Sequence, residues 1–482
     1  MFFVTCLKIV SVILAIVGVT FSIPLAVAFY YGEASVYNSF IIPGAISIVL
    51  FAIVFLCTHK VKFHLTIKQT FAVVALSWIA ASFMGSFPLY FSGCYPQYTN
   101  AFFESVSGFT TTGCTVCGDV ESLPRSINMW RCLTHWLGGM GIVTLTVALL
   151  PLLGVGGFQL IKAETTGPEK GKVTARITTT AKILWLIYAG FTFLEMILLM
   201  ACGMDFVEAL SHAFSTLGTG GFSTRNSSIG SFNSVGIDIV ITVFMFIAGV
   251  NFSLFFYLIT RKFEDIFSNS EFKAYLLIVF VSVLAITLFL LPVYHSFGTS
   301  LRYSAFQVMA LVTTTGFGTA DYLLWPSVVQ FFLFMLFFIG GSSGSTSGGV
   351  KVVRWVVLGK QLGNETKKML HPHGVFTIRL NGKPGRSDIV FNVASFMFLY
   401  LILVMITTFA GCLGNLDITT SFTGALSIVG NVGPAFGNLG PANNFANVPV
   451  FVKWWYCFAM IAGRLELYTL VIFFVPSFWK NR

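Results

Sequence analysis

The chain of 482 residues is 56% hydrophobic, carries charge on only 10% of its residues and has a formal net charge of +10. Soluble domains carry roughly 25% charged residues, so this composition excludes a water-soluble domain and predicts a polytopic membrane protein. The first apolar run follows Lys8 and continues to about Tyr30, which is too long for the apolar region of a cleavable signal, so no cleavage is expected.

Two apolar spans begin the chain, and a unit of span, short loop and second span then follows four times. The leading spans are predicted at Ile9–Tyr30 and Phe40–Cys57, and all ten predicted spans can cross a hydrocarbon core of roughly 30 Å. The first spans of the units are predicted at Gln69–Phe91, Ala181–Cys202, Phe272–Val293 and Ile389–Cys412. The second spans are predicted at Trp130–Leu150, Ile237–Thr260, Val328–Leu358 and Val450–Phe474.

Each unit carries between its spans a loop centred on one glycine, and the sequence aligns these glycines as Gly113, Gly220, Gly316 and Gly433. The four loops are Thr110–Cys114 (loop 1), Leu217–Gly221 (loop 2), Thr313–Phe317 (loop 3) and Gly430–Pro434 (loop 4). A short apolar stretch, predicted to be a pore helix, precedes each loop. These stretches are Ala101–Phe109, Glu208–Thr216, Ser304–Val312 and Ser421–Val429.

The chemistry of these loops favours a cation pore. Stretches this short cannot cross a bilayer, and non-helical backbone at membrane depth is tolerated only where protein or a water-filled cavity shields it. Carbonyls and threonine hydroxyls in such a cavity can replace the hydration shell of an alkali cation. A surface turn explains any single loop equally well, but four favour a pore with pseudo-fourfold symmetry. The predicted filter residues are Thr111, Thr112, Gly113, Gly218, Thr219, Gly220, Thr314, Thr315, Gly316, Asn431, Val432 and Gly433.

The distribution of charge predicts the orientation. Most of the 28 lysine and arginine residues lie in the termini and in the links that follow the second spans. The positive-inside rule therefore places both termini in the cytoplasm and makes all four loops enter from outside. The outer face is left with an excess of acidic residues, which would concentrate cations at the pore mouth. Because topology alone explains the basic inner face, the positive net charge does not indicate a nucleic-acid partner.

A glycine recurs in each second span, at Gly139, Gly249, Gly341 and Gly463, where it allows helices to pack closely or leaves room for a pore. In the third unit, the second span is interrupted at this glycine by a run of five glycines and five hydroxyl residues. This run, Gly340–Gly349, is called the intramembrane loop. Since glycine costs about 1 kcal/mol per residue in a helix, this stretch is predicted to be a flexible, solvated loop inside the membrane.

Arg464 lies near the middle of the fourth second span, too far from either surface for its side chain to reach water. A buried arginine costs at least ~2.5 kcal/mol unless it faces a cavity or a partner. Glu466 points to another side of a helix, so the intramembrane loop is the predicted partner. Together they are predicted to form a barrier below the filter. The predicted gate residues are Arg464, Gly340, Gly341, Ser342, Ser343, Gly344, Ser345, Thr346, Ser347, Gly348 and Gly349.

The chain resembles the Trk/Ktr/HKT superfamily of potassium transporters over essentially its whole length. The features that carry the resemblance are the two leading spans, the four degenerate filters, the interrupted second span of the third unit, and Arg464. The leading spans make the chain most similar to the membrane subunits of Trk potassium-uptake systems. The resemblance implies a K⁺-selective pore, a homodimer in the bacterial inner membrane, and a cytoplasmic nucleotide-binding subunit that gates it. No organic cofactor is expected. Loop 4 departs from a potassium filter because Asn431-Val432-Gly433-Pro434 lacks hydroxyl groups, and loop 2 departs from it at Leu217-Gly218-Thr219.

The predicted fold is an all-α polytopic membrane protein with four span–pore loop–span repeats and two extra N-terminal spans. The predicted divisions are residues 1–66 for the leading pair, 67–162, 163–262 and 263–360 for repeats 1 to 3, and 361–482 for repeat 4.

The sequence also bears on two other functions and on a pair of cysteines. A carrier coupled to Na⁺ or H⁺ is possible, and Glu195 is its candidate residue, although a carboxylate that pairs or reaches water near the outer face is favoured. The Gly341–Gly344 segment matches the GxSG pattern of intramembrane serine proteases, but no histidine follows it in a span, so no enzyme is expected. Cys114 and Cys117 are expected to be unpaired thiols or to form a local disulfide with Cys94, rather than a redox pair.

Overall fold

A computed structural model describes residues 2–58, 67–141, 177–381, 383–384 and 389–479. The described chain is helical apart from one short hairpin, whose strands β1 (Arg379–Leu380) and β2 (Lys383–Pro384) pair antiparallel. Single turns of 3₁₀ helix lie at Ala34–Val36, Ser228–Phe232, Tyr322–Leu324, Gly437–Leu439 and Ile472–Phe474. The predicted all-α membrane fold is confirmed.

The N-terminal pair of spans is built from three helices, α1 (Phe2–Thr20), α2 (Ser22–Tyr31) and α3 (Tyr37–Cys57). Helices α1 and α2 together form one apolar segment, Phe3–Tyr31, long enough to cross a membrane. Gly18 of α1 approaches α3 so closely that a Cβ atom there would overlap the Ser47 hydroxyl. Both predicted leading spans are therefore present, packed through a small-residue contact.

The first span of every repeat is a 25-residue helix, which is about 37 Å long at 1.5 Å per residue. All four meet the length and hydropathy expected of a membrane span, as predicted. They are α4 (Ile67–Phe91), α7 (Ile177–Ala201), α12 (Ser270–Tyr294) and α16 (Ile389–Leu413).

A shorter helix follows each first span and runs into the corresponding loop. These pore helices have 12 to 16 residues and are buried along most of their length. They are α5 (Tyr98–Phe109), α8 (Phe206–Gly218), α13 (Phe297–Val312) and α17 (Ile418–Gly430). Their burial in protein provides the shielding that non-helical backbone at membrane depth requires.

The second spans differ most from the prediction, since the described ones are bent or broken rather than continuous. In repeat 2, α9 (Val235–Gly249) and α10 (Phe252–Ile259) meet at 96°. In repeat 4, α18 (Val450–Arg464) is bent by 113° from the segment Tyr468–Phe474, which begins with α19 (Tyr468–Val471). Short helices α11 (Phe263–Phe267) and α20 (Pro476–Trp479) follow these two repeats.

Local backbone explains both bends. After Gly249, Val250 is extended and the side chain of Asn251 accepts the N–H of Ser253, so a new helix begins there. After Arg464, Glu466 and Leu467 have φ of 54° and 62°, a left-handed conformation that a right-handed helix cannot contain.

The other two second spans also end near their marked glycines. In repeat 1, α6 (Arg125–Gly139) ends at Gly139, and residues 142–150 of the predicted span lie outside the described residues. In repeat 3, α14 (Ser327–Leu336) precedes the predicted intramembrane loop, and α15 (Val352–Leu370) follows it. A small cluster of Val357, Ile378, Leu380, Ile389 and Val393 packs α15 against the hairpin and the start of α16.

Candidate functional site

The four loops share one backbone conformation. Each pore helix is followed by a residue with φ between 53° and 55°, and the second residue after it is a glycine with φ between 77° and 103°. The left-handed residues are Thr111, Thr219, Thr314 and Asn431, and the glycines are Gly113, Gly221, Gly316 and Gly433. The alignment of loop 2 on Gly220 is therefore wrong by one residue. The Gly220–Gly221 doublet allowed both alignments, and the position of the left-handed Thr219 decides between them.

The glycine of each loop packs against the backbone of the next loop. A Cβ atom at that glycine would collide with the carbonyl oxygen of the residue that precedes the equivalent glycine in the neighbouring loop. The four contacts join Gly113 to Gly220, Gly221 to Thr315, Gly316 to Val432 and Gly433 to Thr112. They run from loop 1 through loops 2 and 3 to loop 4 and back to loop 1. The four predicted filter loops therefore meet in a closed ring with equivalent carbonyls at each contact.

Hydroxyl groups support two of the loops from within. The hydroxyls of Thr110 and Thr112 lie 2.8 Å apart, and those of Thr313 and Thr315 lie 2.7 Å apart. In loop 4, which lacks hydroxyls, Asn431 donates its amide to the Thr112 hydroxyl at 2.9 Å and to the Met460 carbonyl at 3.0 Å. Asn431 thus ties loop 4 to loop 1. From the sequence alone, this residue indicated only a departure from the hydroxyl-containing pattern of a potassium filter.

A buried ion pair beside loop 1 was not predicted by the sequence. Arg131 of α6 lies 2.7 Å from the Glu104 carboxylate of α5, and both side chains are at most 1% exposed. The second oxygen of Glu104 accepts the N–H of Val116 at 2.9 Å. Arg131 also lies over the ring of Phe222, just beyond loop 2. Removing one partner of such a buried pair typically costs about 3–5 kcal/mol, because the other charge is left buried without compensation.

The distribution of charge along the sequence places Arg131 and Glu104 on the outer face, but the structure buries both side chains. Their spacing of 27 residues carries no pairing signal, and only the charge of Arg131 within an apolar segment marked it as unusual.

His135 lies between loops 1 and 2. Its Nδ1 is 2.8 Å from the Gly108 carbonyl, and its Nε2 accepts the N–H of Phe222 at 3.2 Å. A Cβ atom at Gly220 would overlap the imidazole ring, so Gly220 needs clearance even though Gly221 has the left-handed backbone. Both ring nitrogens are occupied by backbone groups, which leaves His135 unable to act as a base for Ser342 or Ser343.

Arg464 and the intramembrane loop meet, as predicted. The guanidinium donates to the carbonyl of Thr346 at 2.8 Å. It also donates to the carbonyls of Gly138 and Gly139, at 2.7 and 3.0 Å. The expected position of Arg464 is wrong in one respect, because it ends α18 instead of occupying the middle of a continuous span. Its partners are carbonyls from two repeats, since the end of α6 lies beside the loop.

The intramembrane loop also contacts the filter loops and the bend of repeat 2. The N–H of Gly348 donates to the Thr314 hydroxyl of loop 3 at 2.7 Å, and a Cβ atom at Gly348 would lie 2.5 Å from the Gly430 carbonyl of loop 4. The N–H of Ser342 donates to the Gly249 carbonyl at 2.9 Å. The loop is thus packed directly against two filter loops, through a side-chain hydroxyl of loop 3 and a backbone carbonyl of loop 4.

A second ion pair ties α15 to the bend after Arg464. Arg354 lies 2.6 Å from the carboxylate of Glu466, with side chains 6% and 22% exposed. The same guanidinium stacks over Phe396 of α16, 3.7 Å from the ring centroid. The expectation that Glu466 is a poor partner for Arg464 therefore agrees with the structure, in which its partner is Arg354.

Acidic residues at the N-terminal ends of two pore helices are engaged in local interactions. Arg125 pairs with Asp205 at 3.0 Å, and Arg225 pairs with Glu208 at 2.6 Å. Asp417 accepts the N–H of Thr420 at 2.9 Å and so caps pore helix α17. The hydrogen bonds from Thr420 hold the pKa of the Asp417 carboxyl below its ordinary value.

Two smaller expectations are resolved by the structure. Glu195 is completely buried and forms no ion pair within the described residues, so the expectation that its carboxylate pairs or reaches water is wrong. Cys94, Cys114 and Cys117 are free thiols, as one of the two expected arrangements required. The thiol of Cys114 donates to the Gly433 carbonyl at 3.2 Å, a further link between loops 1 and 4.

Comparison with known proteins gives consistent matches over almost the whole chain. Residues 37–481 match the family model TrkH, described as a cation transport protein. The Trk system potassium uptake protein TrkH of Halomonas elongata is 35% identical, covering 98% of this chain and 99% of that protein. The protein of the same name from Escherichia coli K12 is 36% identical with the same coverage. The crystal structure of the potassium transporter TrkH from Vibrio parahaemolyticus matches with a TM-score of 0.87, 33% identity and full coverage of both chains.

Proposed function

Because the chain belongs to the TrkH family of cation transport proteins, we propose that it takes up K⁺ across the bacterial inner membrane through a pore formed by its four repeats. It is a membrane transporter and not an enzyme. The observation that carries the proposal is the closed ring of the four loops, in which equivalent carbonyls meet equivalent glycines. Backbone oxygens gathered in this way can replace the water around an alkali cation.

The filter of this pore comprises the left-handed residue, the following residue and the glycine of each loop. In loop 2, Gly221 takes the place of the predicted Gly218, because Gly221 has the backbone conformation of Gly113, Gly316 and Gly433 and Gly218 is the last residue of α8. The repeats surround the pore with pseudo-fourfold symmetry, with divisions near residues 66, 162, 262 and 360. A ring of four repeats that all run in the same direction differs from the inverted repeats of many carriers and supports a channel-like path.

Growth of a bacterium that lacks other potassium-uptake systems tests this function. Expression of the protein is expected to restore growth at low K⁺, and addition of Rb⁺ is expected to compete with K⁺ more strongly than addition of Na⁺. The empty expression vector is the control. Normal protein levels in the membrane without restored growth or Rb⁺ uptake would contradict the proposal.

The gate lies below the filter and consists of Arg464 and the intramembrane loop. The guanidinium is supported by three carbonyls, and the loop lies against loops 3 and 4. A positive charge at this point repels a cation that leaves the filter. Opening requires the loop to move away. Its connection to α15 suits a cytoplasmic nucleotide-binding subunit as the source of that movement, acting on a homodimer of the chain.

The orientation has both termini and the basic links in the cytoplasm, with the four loops entering from outside. Reporter fusions after Lys368 are expected to report a cytoplasmic location, and fusions after Asp119 an external one, because the basic residues are concentrated on one side. A paired fusion series measures both positions, since alkaline phosphatase activity reports an external location and green fluorescent protein fluorescence reports a cytoplasmic one. An external signal after Lys368 would reverse the proposed orientation.

A further inference from the structure

Glu271, a carboxylate with no predicted role, joins two parts of the gate. It is the second residue of α12 and only 8% of it is exposed. Its Oε1 accepts the N–H of Ser343 in the intramembrane loop at 2.6 Å. The same oxygen accepts the N–H of Val353 in the first turn of α15 at 3.1 Å. One carboxylate oxygen therefore holds both the loop and the helix that continues from it.

The contact with Val353 is a helix cap supplied by another helix. The first N–H groups of an α-helix have no partner within that helix and must find one elsewhere. In α15, the N–H of Val352 donates to the Gly341 carbonyl at 3.2 Å, and that of Val353 donates to Glu271. A negative charge at a helix N-terminus is also favoured by the helix dipole. The first two N–H groups of α15 thus keep their hydrogen-bond acceptors only while the intramembrane loop and α12 keep their present arrangement.

The residue beside Glu271 is bound to the cytoplasmic hairpin. The N–H of Ser270 donates to the side-chain oxygen of Asn381 at 2.8 Å. The N–H of Asn381 donates back to the Ser270 hydroxyl at 3.3 Å. Asn381 is the first residue of the turn between β1 and β2 and has φ of 50°. The reciprocal bonds make a direct connection from the hairpin through the first two residues of α12 to the intramembrane loop.

We propose that Glu271 is the positioning residue of the gate. Its carboxylate holds the intramembrane loop closed by bonding Ser343 and by capping α15, and Ser270 links this point to the hairpin. A displacement of α15 or of the hairpin breaks these bonds and frees the loop. The inference rests on the gate described under Proposed function, and it adds a role for α12 that the predicted gate residues did not include.

Hydrogen exchange and ion flux together test the proposal in the full-length protein reconstituted in liposomes without a partner. Glu271→Ala is expected to speed amide exchange in peptides that cover residues 342–354, because the N–H groups of Ser343 and Val353 lose their acceptor. It is expected to raise partner-free Rb⁺ flux by roughly threefold to thirtyfold, the range that corresponds to the loss of a helix cap. The preference for K⁺ over Na⁺ is expected to stay unchanged.

Glu271→Gln is the second variant and serves if the alanine variant is not recovered in the membrane. Its amide keeps one oxygen acceptor but loses the negative charge, so a smaller change in the same direction is expected. Glu264→Ala, an exposed carboxylate on the neighbouring helix α11, is the matched control and is expected to change neither measurement.

Comparison with Arg464→Ala separates this inference from the gate itself. If Arg464→Ala raises flux while both Glu271 variants exchange and conduct like the parent, the gate is supported and the role of Glu271 is overturned. If the Glu271 variants accelerate exchange but neither they nor Arg464→Ala changes flux, the loop is held by Glu271 and the proposed barrier is wrong.

Discussion

Replacing Gly316 with serine is expected to abolish K⁺ uptake or to remove its preference over Na⁺. Gly316 has φ of 78°, and a Cβ atom there would overlap the carbonyl oxygen of Val432 in the adjacent loop. The left-handed backbone costs about 1–2 kcal/mol for a residue with a side chain, and the overlap with a backbone group cannot be relieved by a rotamer change. Because ~1.4 kcal/mol corresponds to a tenfold change, a loss of tenfold or more in Rb⁺ uptake is expected.

Gly318→Ser is the matched control for this variant. Gly318 lies two residues away, and a Cβ atom there has nothing within 4 Å. Uptake in cells and flux in liposomes are expected to be near the parental values for the control. Gly221→Ser is expected to behave like Gly316→Ser, since its Cβ atom would overlap the Thr315 carbonyl. Parental K⁺ uptake and Na⁺ exclusion in both filter variants, at normal protein levels, would show that the ring is not the filter.

Removing the charge of Arg464 is expected to have the second large effect, in the opposite direction. A unit charge about 8 Å from a passing K⁺ opposes it by roughly 2 kcal/mol at an effective dielectric constant of about 20, which corresponds to about thirtyfold in rate. Arg464→Ala also removes the donors to Thr346, Gly138 and Gly139, so the intramembrane loop loses a contact. Rb⁺ flux into partner-free liposomes is therefore expected to rise by about tenfold or more, with ion selectivity unchanged.

Arg464→Lys distinguishes the charge from the hydrogen bonds. Lysine keeps the positive charge but cannot reproduce the planar fork that reaches carbonyls of two repeats, so a smaller rise in flux is expected. Deletion of Ser343–Ser347 is expected to raise flux in the manner of Arg464→Ala. Arg261→Ala, at an exposed position after α10, is the control. Parental flux in folded Arg464→Ala and in the deletion would place the barrier elsewhere in the chain.

The sequence by itself determined the spans, the pore helices and the approximate position of the four loops. Hydropathy reports the length of an apolar segment, and the 25-residue first spans and the shorter pore helices differ clearly in length. Glycine and threonine at the end of a short apolar stretch identify backbone that must leave the helix at membrane depth. These signals are local, because they depend on the preference of each segment for lipid or water and on backbone freedom.

The register of loop 2 shows where local signals end. Gly220 and Gly221 are adjacent, identical residues in the sequence, so either could be aligned with the other loops. In the structure only Gly221 has a positive φ, whereas Gly220 lies against the ring of His135. The neighbour that each glycine meets comes from another repeat or from α6. The choice between them was therefore made by tertiary packing.

The continuity of the second spans was also decided by the tertiary structure. The apolar runs resume directly after Asn251 and after Glu466, so hydropathy averaged over a whole span predicts continuous helices. In the folded chain, the backbone groups at each bend find partners in other segments. The carbonyl of Gly249 accepts the N–H of Ser342 in the intramembrane loop, and Glu466 pairs with Arg354.

The partners of the buried charges could not be predicted from the sequence, because they lie far away along the chain. Arg131 and Glu104 are 27 residues apart, and Glu271 meets Ser343 and Val353 at separations of 72 and 82 residues. A charge in an apolar segment indicates that a partner must exist, since an unpaired buried charge is too costly. Which partner it finds depends on how the helices pack, and only the tertiary structure brings those residues together.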